Sequence, residues 1–191
     1  YPYYQHTAIG YNYRMSNICA GIGRGQMTVA QAHINHHKHV QALYEELLKD
    51  VEGVTLHTQP ATGEYDSNFW LCCITLDEGL KVKGQEYAYK EVIKNAVGGA
   101  AGVIKAVDCA TTDCQPNDNV EALRVFLMEK KIEARPVWKP VHKQPVYQNA
   151  PAYVNGVSEA IFKVGMCLPA GPYVTDEDVR YIVDCIKEAI E

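Results

Sequence analysis

The sequence predicts an α+β domain, on three observations. A Pro-free stretch from Ser16 to about Asp50 carries an apolar stripe at helical spacing. The run FWLCCITL at 69–76 is apolar and aromatic throughout, as a strand is. Two capping-box signatures, at Asp118 and Thr175, each precede a further apolar stripe. The sum is one long helix, about three strands and two further helices. A chain of 191 residues has room for one good-sized domain.

Ser16 or Asn17 caps the first helix, because each offers a side-chain oxygen to free backbone N–H groups. Val40, Leu43, Tyr44, Leu47 and Leu48 form the stripe of its second half. Its first half contains GIGRG at 21–25, and each glycine costs a helix about 1 kcal/mol relative to Ala. The expected return is close approach by another backbone or a partner subunit. Gly53 ends the helix, VTLH at 54–57 reads as a short strand, and TQPATGEYDS as a loop. Asp118 with Glu121 signals a helix whose apolar face is Val120, Leu123 and Leu127. IEARPVW at 132–138 alternates until Pro136, which predicts an edge strand or strand end. Thr175 with Asp178 opens the last helix, with Val179, Ile182, Val183, Ile186 and Ile190 on one face. QEYAYKEVIKNAV at 85–97 reads as a helix broken by GGAAG, within an insertion at about 79–117.

Composition excludes several classes. The net charge of −5 argues against a broad nucleic-acid surface, since phosphate binding needs a basic face. No apolar run approaches the roughly 20 residues of a membrane span. No leader is legible, and a start on Tyr1 predicts that the natural N-terminus lies upstream. Seven scattered cysteines, Cys72 and Cys73 adjacent within the best strand, suit reduced thiols in a cytoplasm. Cys109 and Cys114 have the wrong spacing for a zinc knuckle, and no second pair follows.

Four stretches are candidate sites. His33 and His37 share a helical face, yet Ile34 stands where a zincin carries Glu, so a polar helix face is the better reading and no metal is expected. GIGRG falls inside a helix already begun, which favours close packing over a phosphate loop. RPVWKPVHKQPVY at 135–147 combines three prolines with Arg135, Trp138, Lys139, His142, Lys143 and Tyr147. Such a rigid polar-aromatic loop reads equally as a ligand wall or as an ordinary surface loop. GYNYRMSN at 10–17 is too polar for a core strand and too aromatic for a common loop.

Three stretches together resemble one family. GYNYRMSNICAGIGRGQM is similar to the G-x-N-x-R-(M/L)-(S/N)-x-x-A-x-x-G-x-x-Q segment of the DegT/DnrJ/EryC1/StrS aminotransferases, RPVWKPVHKQPVY to their R-P-x-W-K-P-x-H-x-Q-P-x-(Y/F) segment, and LPAGPYVTDEDV to their L-P-x-x-x-x-(L/M)-(T/S)-x-x-D-(I/V) ending. The second is particularly similar to members that make 4-amino sugars on UDP or GDP carriers. The matches run in family order and cover most of the chain apart from about 79–117. The resemblance implies the small C-terminal domain of a fold-type-I, pyridoxal phosphate (PLP)-dependent enzyme, with helices on a small antiparallel sheet. It further implies a homodimer that moves an amino group from an amino acid, usually glutamate, to a nucleotide-linked keto-sugar, as in surface-polysaccharide biosynthesis.

By the same resemblance, residues 1–17 cross to the neighbouring subunit, where Asn12 contacts the PLP phosphate, and 18–191 form the small domain. Arg14 suits a second anionic group, because its planar fork matches oxyanions. Trp138, Lys139 and His142 fall on the substrate side. No catalytic residue is assigned. The family's cofactor-holding Lys, in an S-x-x-K type context, belongs to a large N-terminal domain with no match here. The chain thus resembles the C-terminal half of such an enzyme, not catalytic alone. Two alternatives stand beside it: a PLP-dependent sugar dehydratase of the same family, with His in place of that Lys, and a non-catalytic binding module that kept the fold.

Overall fold

The computed structural model describes residues 4–89 and 114–190. Helix α1, Asn17–Met27, starts where Ser16 Oγ accepts from Cys19 N at 3.2 Å. It stops at Thr28. Thr28 N and Val29 N donate three residues back, to Gly25 O and Gln26 O, and Thr28 Oγ1 bonds the Gly25 carbonyl at 2.7 Å. Tightened turns and hydroxyl competition for a carbonyl end a helix without proline. The expected single helix is therefore two, and α2 spans Ala30–Leu48. Its stripe is buried as predicted at Val40, Leu43, Tyr44 and Leu48, with Leu47 partly buried against the same core.

Gly53, at φ 78°, turns the chain into β1, Val54–Leu56. Strand β2 is Cys72–Leu76, shorter than the apolar run that announced it. Phe69 takes φ 46°, a conformation no strand residue adopts, and Trp70 turns to solvent. A short 3₁₀ turn at Gln85–Tyr87 is the described part of the helix expected over 85–97; its remainder from 90, the GGAAG break and Cys109 lie outside the described residues.

Helix α3, Asp118–Glu129, is capped by Asn117, whose Oδ1 accepts from Val120 N at 3.0 Å. This corrects the predicted Asp118–Glu121 box. Glu121 is fully buried and instead forks to Arg124, Nε and one Nη each at 2.8 Å. Strand β3 is Arg135–Pro136, on an edge as Pro136 required. Helix α4, Val157–Val164, runs straight into β4, Gly165–Leu168, and neither was foreseen. Gly165 is obligatory at the junction: a Cβ there would lie 2.6 Å from Ile161 O and 2.8 Å from Val137 Cγ2. Helix α5, Asp176–Ala189, opens with the predicted capping box of Thr175 and Asp178.

The sheet is antiparallel in the order β1-β2-β4-β3, so β4 is central. Cys72, Ile74 and Leu76 of β2 join Met166 and Leu168 of β4 in the main core with α2, α3 and α5. Alternation along the strands turns Cys73, Thr75 and Cys167 to the other face. Tyr44 is buried at the centre, donates to Pro169 O at 2.9 Å, and has its phenol pushed up chiefly by burial.

Candidate active-site surface

The loop that follows β3 is rigid for reasons beyond its prolines. Gln144, almost fully buried, is a clasp. Its Oε1 accepts from His6 N at 2.8 Å, and its Nε2 donates to Lys139 O at 3.1 Å and to Tyr4 O at 3.4 Å. Val146 N adds a bond to His6 O at 3.2 Å. The N-terminal residues 4–6 are thereby laid along the 139–146 loop.

That docking builds an aromatic surface. Trp138, 49% exposed, stacks on Tyr4 with centroids 6.3 Å apart and planes 8° from parallel. Trp70, 62% exposed, lies at 6.1 Å from Trp138 with a 31° tilt. Arg135 borders the group: its Nη1 donates to Tyr4 Oη at 3.1 Å and its guanidinium carbon sits 5.9 Å from that ring's centroid. Glu133 holds the opposite side of the guanidinium, whose affinity for its proton rises chiefly through that bond. The result is an open face of three aromatic rings and a cation, suited to flat, anionic ligands.

The other expected substrate residues are placed differently. Lys139 is 2% exposed, and its Nζ donates to Gln5 Oε1 at 3.2 Å. It braces the N-terminal segment beneath the surface. His142 Nε2 is 2.8 Å from Glu159 Oε1 on α4, and Lys143 Nζ is 3.3 Å from Oε2. The His142 contact, reinforced by Lys143, holds the Glu159 carboxyl below its ordinary value. Both residues anchor the loop. Trp70, Tyr4 and Gln144 were missed as site residues; Trp70 was hidden inside an apparent strand, and the other two declare themselves only through contacts distant in sequence.

Beyond His6 the chain leaves the domain. No residue from 7 to 29 is buried. Asn12 Oδ1 accepts from Arg14 N at 2.8 Å, closing an Asx turn that holds Arg14 at φ 61°. The turn uses the oxygen and leaves Asn12 Nδ2 to donate elsewhere. Within the described residues, the Arg14 guanidinium has no partner. An amide donor and a guanidinium two residues apart fit a phosphate-bearing cofactor, while the chain's own structure brings neither to the Trp138 surface. Helix α1 continues this exposure: Ile18, Ile22 and Met27 face solvent, and Gly21, Gly23 and Gly25 have nothing within 4 Å of a built Cβ. The close packing expected at GIGRG is not made within this chain.

His36 and His37 turn Nε2 atoms inward without partners, and His37 is held below its ordinary value by burial, then by His36 and His33. Among the described residues no group of three or more His, Cys, Asp or Glu side chains could hold a metal. No helix among them is long and apolar enough to cross a membrane.

The fold is the α+β small domain found in aminotransferases of one family. The sequence profile of the DegT/DnrJ/EryC1/StrS aminotransferase family matches residues 2–101 and 103–187, and the chain belongs to that family. It is 31% identical to EpsN of Bacillus subtilis (strain 168), whose name places it with the PLP-dependent aminotransferases, over 96% of this chain and 38% of that protein. It is 26% identical to GDP-perosamine synthase of Escherichia coli O157:H7, over 97% and 39%. A DegT DnrJ EryC1 StrS aminotransferase from Brucella abortus shares the fold at a TM-score of 0.61 and 20% identity, covering 97% of this chain and 38% of that one. The chain thus spans about two fifths of the length of the relatives it matches.

Proposed function

We propose that this chain is the C-terminal part of a PLP-dependent enzyme that moves an amino group from an amino acid, glutamate by family likeness, to a nucleotide-linked keto-sugar. Of the 1–17 segment, residues 7–17 serve the active site of a second copy in a homodimer, while Tyr4, Gln5 and His6 stay docked on their own chain's 139–146 loop. Residues 18–191 form the small domain, with an insertion at about 79–117. The observation that carries this is the arm: residues 7–29 bury nothing in their own chain, although they expose Ile18, Ile22 and Met27.

PLP, when bound, supplies an electron sink and carries the amine. The chain's own residues bind and orient. Asn12 Nδ2 donates to a phosphate oxygen without adding charge, and Arg14 meets a second anionic group. Trp138 and Trp70 offer faces on which a nucleotide sugar stacks. Lys139 and His142 act by fixing the loop that presents Trp138. The lysine that holds the cofactor comes from a domain outside residues 1–191, so this chain does not catalyse the transfer alone.

The test is complementation in the full-length homodimer. Asn12→Ala alone should weaken PLP affinity about 10- to 100-fold, the value of a hydrogen bond to a charged group. Mixed with a chain lacking the cofactor-holding Lys, it should regain part of the activity, because one site of the mixed dimer carries both defects and the other neither. No recovery beyond the parent variants would place Asn12 in its own subunit's site.

A further inference from the structure

Cys73 on β2 and Cys167 on β4 are Cα partners in the antiparallel register. The polarity of the neighbouring hydrogen bonds fixes what kind of pair they are. His57 N donates to Cys73 O, so the backbone polar groups of Cys73 face β1 and not β4. Val137 N donates to Gly165 O, which turns Gly165 and, two residues on, Cys167 towards β3. Cys73 and Cys167 are therefore a non-hydrogen-bonded pair, in which Cα atoms approach to about 4.5 Å and side chains are closest. A disulfide spans Cα separations of about 4.4–6.8 Å. The sheet already holds the two residues at bridging distance, and their sulfurs are 3.7 Å apart.

The two thiols are not equivalent. Cys73 is partly exposed and Cys167 is buried. The hydrogen bond between the two sulfurs holds Cys73 below its ordinary value and, with burial, pushes Cys167 up. Cys72 cannot substitute. It sits on the core face, where burial pushes its thiol up to about 12.

We propose that Cys73 and Cys167 are a redox-modification site, a dithiol that a low-molecular-weight disulfide converts into a cross-strand bridge between β2 and β4. Cys73 loses its proton to solvent, and its thiolate attacks one sulfur of the small disulfide. That S–S bond breaks and one small thiolate leaves. Cys167 then gives up its proton and attacks Cys73 Sγ, expelling the second small thiolate. The protein loses two protons and two electrons, and the oxidant is reduced to two thiols. Cys73 attacks because it is the accessible, thiolate-favouring partner; Cys167 resolves. The bridge lies beside the candidate site, since Arg135 is the partner of Cys167 on the opposite ladder and Trp70 precedes β2 closely.

The experiment incubates the 191-residue chain with oxidised glutathione, alkylates free thiols and maps peptides without reduction. The bridge should appear as a Cys73–Cys167 linked peptide about tenfold over any other pair, with a mass loss of two hydrogens. Cys167→Ser should trap glutathione on Cys73, and Cys73→Ser should yield neither bridge nor adduct at Cys167. Cys167→Ala provides the same trap if serine perturbs the strand, with circular dichroism reporting the fold. A wild-type chain without the linked peptide, one that pairs other cysteines, or a trap that carries its adduct elsewhere than Cys73 overturns the proposal.

Discussion

Helices α1 and α5 make an instructive pair. Both begin at a hydroxyl cap that binds a backbone N–H three residues on. Both carry apolar side chains at helical spacing. In α5, Val179, Ile182, Val183 and Ile186 are buried against α2 and α3; in α1, Ile18 and Ile22 stand in solvent. Helix α1 also bears three glycines, each costing about 1 kcal/mol relative to Ala. Local pattern states that a face is built to be covered, and only tertiary structure states by what. For α5 the cover is its own chain. For α1 it is not.

The largest expected effect tests this contrast directly. Leu123→Ala, in the fully buried core, should lower unfolding free energy by about 2–5 kcal/mol. Ile22→Ala in the same 191-residue chain should stay within about 0.5 kcal/mol. Denaturant titration of both checks it, and equal losses would erase the distinction. Gly165→Ala should cost about 1–3 kcal/mol by overpacking, since the backbone oxygen of Ile161 cannot swing away.

Gln144→Ala sharpens the boundary between the two regions. It unpins residues 4–6, whose freed backbone groups then reach water, so the expected cost is only about 1 kcal/mol. Amide exchange is the more sensitive measurement: His6 and Val146 should lose protection while α5 keeps it. Persistent protection would mean that another contact holds the segment.

The smallest effect lies where α2 passes from exposed to buried, at His37. Its folded-state value is depressed from 6.5, so the fold favours the neutral ring. That contribution is complete above pH 6.5 and is lost as pH falls through the folded value. His37→Asn should flatten the decline in stability below pH 6.5, read from melting temperature against pH. An unchanged slope would assign the decline to other groups.

What was legible in the sequence follows from how local its causes are. The α5 cap and its stripe through Ile186 are read from consecutive residues, and they hold. Ile190, expected on the same face, lies just past the helix in extended backbone and bridges to Val82. The Thr28 break was invisible because nothing but a hydroxyl signals it. Strand β4 was missed because GMCL has no alternation and follows α4 without a turn; all four residues are buried. In the site, Trp138 announced itself among prolines. The Tyr4 stack and the Gln144 clasp join residues more than 130 positions apart, which no local pattern encodes. The Asn12–Arg14 turn is local, yet its use is a matter for whatever the arm meets.

The central position of β4 also orders events in time. Its partner on β2 is 94 residues earlier in the chain. At synthesis rates of 5–20 residues per second, β2 waits roughly 5–20 s on the ribosome before β4 can pair with it. Through that interval β2 offers an unpaired apolar edge, the kind of template that recruits other strands. Nascent-chain quality therefore rests on the late arrival of four residues, and anything that stalls translation between Leu76 and Gly165 lengthens the exposure.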